Sequence, residues 1–274
     1  MKITLPIKEH DFSKQIKDFK QFLENNGYLK IYQNIEAIAP GKIYILGGVI
    51  RDFYMSQINN TLFLINDLDL VIDDVTKPIS EEEMQVIFSK LGELTKNRYN
   101  SYKLITFNGK EIDIIPFTQS KYSKEYNETP SIATRLKTAF FKLESVAVDM
   151  QKQILYEIGF FEDLNNKTLS VLNDQYGQYH SHYVRAILYG KKLNFKIDQT
   201  VIDFLKKKYI ITSSDSSIET TEKLIKDYLV SKKKVDQTEY VFLKLKELEV
   251  INSQEALAYL STYIPPNVER KKEL

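Results

Sequence analysis

The chain has 274 residues, with 38 basic against 37 acidic side chains and neither cysteine nor tryptophan. A net charge of +1 and 43% hydrophobic residues exclude a disordered or collagen-like chain, and no bulk electrostatic affinity for nucleic acid can be read from the total. The lack of cysteine removes disulfides, thiolate zinc sites and cysteine nucleophiles. No apolar run approaches the roughly 18 residues that span a bilayer, and MKITLPIKEH turns polar too early for a signal peptide, so no membrane association and a cytoplasmic location are expected. The cations are 33 lysines and only five arginines, Arg51, Arg98, Arg135, Arg185 and Arg270. Such scarcity reserves arginine for positions that need a planar fork of donors.

In chain order, Phe12, Ile16, Phe19, Phe22 and Leu23 recur at helical spacing and predict an amphipathic helix over Asp11 to Glu24, capped by Asp11. Lys42 to Leu46 reads as a buried strand running into Gly47-Gly48, followed by a helix over Val49 to Gln57. A second strand, Leu68 to Ile72, is embedded among Asp67, Asp69, Asp73 and Asp74. Ser80, followed by Glu81, Glu82 and Glu83, predicts the start of a helix reaching about Lys96. Asn108-Gly109 between Tyr102 to Phe107 and Lys110 to Pro116 predicts a hairpin. From Ser131 onward the pattern predicts helices only, at about 133 to 150, 153 to 172 with a break near Gly159, 178 to 193, 198 to 209, 217 to 231, 236 to 249 and 253 to 263. The expected division is a head over residues 1 to 130 and a helical part over 131 to 274. Residues 185 to 274 carry 17 cations against 13 anions, so a mildly basic tail follows an acidic head.

Asp67 and Asp69 are the sharpest chemical feature. On a strand, residues two apart project from one face about 7 Å apart, so two carboxylates converge while Leu68 and Leu70 point into the core. Such a pair repels unless a hard cation lies between, and Mg²⁺ is the oxygen-seeking ion that also binds nucleotide phosphates. An edge strand with a solvated polar face is the alternative. Asp113, alone among Ile112, Ile114 and Ile115, reads either as a third carboxylate or as an edge-exposed acid. Gly47-Gly48 between strand and helix would offer backbone N–H groups to an anion, and Arg51 in the first turn, followed by Asp52, could reach a phosphate as a fork; a tight turn with both residues at the surface is the alternative. Together these elements describe a site for a nucleoside triphosphate and Mg²⁺.

Gly47-Gly48-Val49-Ile50-Arg51-Asp52 and Asp67-Leu68-Asp69-Leu70 resemble the GGxVRD and DxD signatures of class II CCA-adding enzymes and bacterial poly(A) polymerases, members of the DNA polymerase β-type nucleotidyltransferase superfamily. Ala147-Val148-Asp149 with Ile158 to Leu164, and Arg185-Ala186-Ile187 with Leu193 to Asp198, are similar to later segments of the same family. The resemblance implies an α+β protein, a mixed β-sheet head followed by an all-helical neck and body. It also implies Mg²⁺ held by Asp67 and Asp69, an NTP, ATP or CTP, as substrate, and an RNA partner, the 3′ end of tRNA. Arg135 aligns with the motif that contacts the ribose, with Thr138 in the same register, or Phe140 and Glu144 in another; in both, that motif's own acid is missing. The family reads the base through an E-D-x-x-R motif, whose positions here are Gln178, Tyr179 and His182. Tyr179 could stack on a base and His182 stand in for the fork, with Arg185 opening the neck; a helix surface is the plainer reading of His180 and His182. The expected activity is nucleotide addition to an RNA 3′ end. The alternatives are altered specificity toward another RNA or a protein, and a non-catalytic RNA-binding descendant.

Overall fold

In the computed structural model, residues 5–97, 100–119, 129–174, 179–213 and 221–251 are described. The chain divides into two compact units, Met1–Tyr176 and Gly177–Leu274.

The first unit is built on an eight-stranded sheet of β1 (Lys8–Asp11), β2 (Lys42–Leu46), β3 (Asp67–Asp73), β4 (Gly92–Lys96), β5 (Tyr102–Thr106), β6 (Glu111–Pro116), β7 (Val146–Asp149) and β8 (Ile154–Glu157). The strand order is β1-β8-β7-β2-β3-β6-β5-β4, and only β3 and β6 run parallel. Its helices are α1 (Ile16–Asn25), α2 (Leu29–Ile38), α3 (Gly48–Asn59), α4 (Glu81–Phe88), α5 (Ile132–Leu136) and α6 (Phe160–Asn166). Alternation on β3 decides the two faces. Leu68, Leu70 and Ile72 are fully buried on one of them, which together with β2 packs against α3. Val71 points the other way, into a cluster with Tyr44, Leu46, Phe117, Leu136, Ala147, Tyr156 and Ile158 under α5. Behind α3, Phe53 meets Phe19 (5.1 Å) and Phe22 (5.7 Å) of α1 in an aromatic cluster worth more than its area alone.

Four expectations are corrected. The first helix begins at Ile16, not Asp11: Asp11 ends β1, where its carboxylate accepts from the Ser13 N–H at 2.9 Å. Ser80 caps α4 through a full capping box, accepting from the Glu83 N–H (3.1 Å) while the Glu83 carboxylate accepts from the Ser80 N–H (2.8 Å). That helix nevertheless stops at Phe88, and residues 92–96 form β4, paired with β5. Cross-strand pairing overrides helical propensity there.

The stretch expected to be helical from residue 131 contains β7 and β8, which extend the sheet beyond β2 and carry β1 at its edge. The division therefore falls after Tyr176 rather than Pro130, because these strands bury their inner faces within the sheet unit. The expected break at Gly159 is present as a left-handed residue (φ +75°) between β8 and α6.

A buried ion pair closes the β7–β8 turn. Asp149 is 0% exposed, faces Lys42 of β2 and accepts from the N–H groups of Gln151 (3.1 Å) and Lys152 (3.0 Å). Removing it strands a cation and two donors, so Asp149→Ala should cost about 3 kcal/mol in urea unfolding.

The second unit contains the expected helices as α7 (Tyr179–Leu193), α8 (Gln199–Ser213), α9 (Thr221–Ser231) and α10 (Thr238–Glu247). Its core includes Tyr183, Ile187, Leu205, Ile225, Leu229 and Phe242, and the Tyr183 hydroxyl donates to the Leu205 carbonyl at 2.8 Å. The helix expected at 253 to 263 lies outside the described residues. Among the described residues, no helix is long and apolar enough to cross a membrane.

Candidate nucleotide and metal site

The acidic site begins with register. β3 and β6 run side by side with Asp67 opposite Glu111 and Asp69 opposite Asp113, strands about 4.8 Å apart. Antiparallel β5 adds Ile105 opposite Glu111 and Lys103 opposite Asp113; β4 adds Glu93 opposite Ile105 and Thr95 opposite Lys103. Two cross-strand rows therefore share one face, Asp69-Asp113-Lys103-Thr95 and Asp67-Glu111-Ile105-Glu93. Asp113 is thus in register with Asp69 and is not an isolated edge acid.

The electrostatics follow from this crowding. Burial first, then the neighbouring Asp67 and Asp113, pushes the Asp69 carboxyl up to about 7. Asp113 is also raised, chiefly by burial, with Lys103 opposing and Asp67 adding to the rise. Tyr28, whose hydroxyl donates to the Asn66 carbonyl (2.9 Å), is raised to about 12 by burial and by Asp67 and Glu111. Burial depresses Arg135 of α5, opposed by the attraction of Asp69 and Glu144, and its Nε is buried without a hydrogen-bond partner. A second guanidinium nitrogen of Arg135 donates to the Thr138 hydroxyl. The apolar cluster beneath α5 thus meets the carboxylates at Asp69.

Among the described residues, no three acidic or imidazole groups are drawn into a closed metal cage. The donors instead fit an open site for a hard divalent ion: carboxylate oxygens alone, gathered on one face of the sheet, with remaining positions left to water or phosphate.

The glycine turn lies at the same end of the sheet. Ile45 pairs with Leu70, so the end of β2 that runs into Gly47 lies at the end of β3 that carries Asp69 and Asp67. Gly47 takes φ +50°, donates its N–H to the Val146 carbonyl (2.8 Å) and accepts from the N–H groups of Ile50 (3.1 Å) and Arg51 (3.0 Å). The N–H groups of Gly48 and Val49 are the first two of α3, directed outward at its positive end. A side chain at Gly47 would be strained and would press within 3.3 Å of the Glu144 carbonyl. Gly47→Ala should therefore cost about 1–2 kcal/mol in thermal unfolding, even with every side-chain contact kept.

Arg51 is paired with its neighbour rather than set at the surface. It is 5% exposed and held by Asp52, with Nε 2.8 Å and one terminal nitrogen 2.7 Å from the same carboxylate oxygen. Its guanidinium lies beside the turn, 3.7 Å from where a Gly48 Cβ would stand. Asp52 thereby acts as the anchor of Arg51.

The remaining candidates belong to the second unit. His182 of α7 is 2% exposed with its ring centroid 6.1 Å from that of Phe204, edge-on, which corrects the helix-surface reading: it packs inside the helical unit. Arg185 is half-buried, its guanidinium over the Tyr189 ring at 5.6 Å. Tyr179 opens α7, but its side chain, like that of His180, lies outside the described residues, as do Gln178 and Arg98. Sequence reasoning missed Lys103 and Glu111, joined at 2.8 Å, although the Asn108-Gly109 hairpin register already puts Lys103 across from Asp113.

No protein-family model matches the sequence, and no curated protein matches it. Solved structures do. A Thermotoga maritima CCA-adding enzyme in complex with tRNA superposes with a TM-score of 0.63 at 18% identity, over 94% of this chain and 58% of that one. A CCA-adding enzyme in complex with ATP gives 0.64 at 19%, over 94% and 58%. A tRNA-processing enzyme in its apo form gives 0.54 at 14%, over 95% and 64%. The chain spans somewhat more than half the length of these structures. With its mixed sheet, its acids on β3 and its glycine turn into α3, this chain has the nucleotidyltransferase fold of the CCA-adding enzymes.

Proposed function

We propose that the chain is a nucleotidyltransferase that adds a nucleotide from an NTP, ATP or CTP, to an RNA 3′ end, that of tRNA, with release of pyrophosphate. The observation that carries this reading is the convergence of Asp67 and Asp69, with Asp113 in register, beside the glycine turn that opens α3. Asp67 and Asp69 would hold Mg²⁺, which when bound supplies charge neutralisation at the α-phosphate. The Gly48 and Val49 N–H groups receive the triphosphate at the helix N-terminus, while Asp52 and Arg51 stiffen the turn behind them. Arg135, through Asp69 and Glu144, holds α5 against the acids. Most of the acceleration would come from positioning and from dipoles set in advance.

A second reading keeps the chemistry and changes base choice. His182 stands where the resembling family has its base-reading arginine, and its burial against Phe204 favours altered specificity toward another RNA or a protein. Incubation with each α-labelled NTP, Mg²⁺ and tRNA lacking its 3′ end tests both. Label from CTP and then ATP supports the first reading, and indiscriminate label supports the second. No label on any acceptor, with no Mg-NTP binding by calorimetry, leaves a non-catalytic RNA-binding descendant.

A further inference from the structure

Lys103 stands between carboxylates that the proposed mechanism leaves idle. Its ammonium lies 2.8 Å from Glu111 and 3.4 Å from Asp113, with about a third of its side chain exposed. Both partners belong to the two rows that contain Asp67 and Asp69, each in direct register with one of them. The face therefore offers four carboxylates in two adjacent pairs. One pair carries a lysine and the other does not.

A divalent ion would otherwise have a choice. Asp69 and Asp113 sit on neighbouring strands about 4.8 Å apart, near enough for a cation to bridge across β3 and β6 rather than along β3. An ammonium seated on Asp113 and Glu111 opposes this in two ways: it engages their oxygens, and it repels a second positive charge nearby. An exposed cross-strand ion pair adds little to stability, so fold maintenance alone accounts poorly for a lysine that serves two acids at the rim of the site.

We infer that Lys103 is a positioning residue of the acidic site: it withholds Asp113 and Glu111 from divalent cations in the nucleotide-free protein and confines such a cation to Asp67 and Asp69. This rests on the nucleotidyltransferase reading only in requiring that Asp67 and Asp69 bind a divalent ion.

The test is a Mn²⁺ titration of the nucleotide-free full chain, followed by the electron paramagnetic resonance signal of free Mn²⁺. It compares wild type, Lys103→Met, Lys103→Gln, Lys103→Arg and Asp69→Asn, each first checked for a cooperative melting transition. With the lysine gone, Mn²⁺ should bind about tenfold more tightly, or an additional ion should be taken up. Lys103→Arg should titrate like wild type, which distinguishes a charge effect from a packing effect. Mn²⁺ binding that Asp69→Asn abolishes but that neither Lys103→Met nor Lys103→Gln alters would overturn the inference and leave the metal-site reading standing. Absence of binding in wild type and lysine variants alike would sink both.

Discussion

Asp69→Asn should lower nucleotide incorporation by about a thousandfold or more, the scale of losing a metal-ligating charge, roughly 4 kcal/mol of transition-state stabilisation. The same variant should fold at least as well as the wild type. Asp69 ionises near pH 7 in the folded chain because of burial and of Asp67 and Asp113, against about 3.9 in an unfolded one. Between those values the folded protein binds more protons than the unfolded, so metal-free stability falls as pH rises from about 4 to 7. The Asp69 contribution to that fall, discounted for partial exposure, is roughly 1–3 kcal/mol. Chemical denaturation from pH 4 to 8 in EDTA checks it. The slope should flatten in Asp69→Asn, and an equal slope in both proteins would contradict the crowding of the three acids.

Arg135→Met should carry the second largest effect, a loss of about 2 kcal/mol in stability and ten- to a hundredfold in incorporation. The guanidinium, its Nε buried, interacts with Asp69 and Glu144, and removing it leaves two acids facing α5 without their cation. Because Arg135 acts through Asp69, the two substitutions should not add. In a double-mutant cycle of unfolding free energies, Asp69→Asn with Arg135→Met should show coupling of about 1–2 kcal/mol, and strict additivity would separate the residues.

The part of the site legible in sequence was the part carried by local spacing. Asp67 and Asp69 share a strand, so their common face needs no tertiary information. Gly47 and Gly48 stand at a strand-to-helix junction where Gly47 takes φ +50°, ψ −104°, outside the left-handed helical region that Asn60 and Lys167 occupy. The Ser80 cap and the Asn108-Gly109 hairpin are likewise local chemistry. Less legible was anything that depends on a distant partner. Gly92 to Lys96 continues a helical pattern and becomes a strand only because β5 lies beside it. Val146 to Asp149 and Ile154 to Glu157 look like helix and complete the sheet between β1 and β2.

The site divides along the same line. Arg51 in the first helical turn reads as a fork aimed at phosphate, yet its neighbour Asp52 holds it against the turn, because a buried guanidinium takes the nearest carboxylate. Glu144 entered the sequence reading only as one of two motif registers, and the 3₁₀ turn Lys142–Glu144 carries it to Gly47 and Arg135. His182 reads as surface on a helix that is polar by composition, and it is buried because Phe204 of the next helix packs on it.

By itself, then, the sequence determined the acidic pair, the glycine turn and the order of strand, turn and helix, all set by periodicity and backbone sterics within a few residues. Tertiary structure alone decided that Asp113 joins Asp69, that Lys103 and Arg135 both come near the acids, and that the sheet runs to eight strands. Those outcomes depend on which strands pair and in what register, and pairing energy is shared between segments that one-dimensional spacing cannot relate.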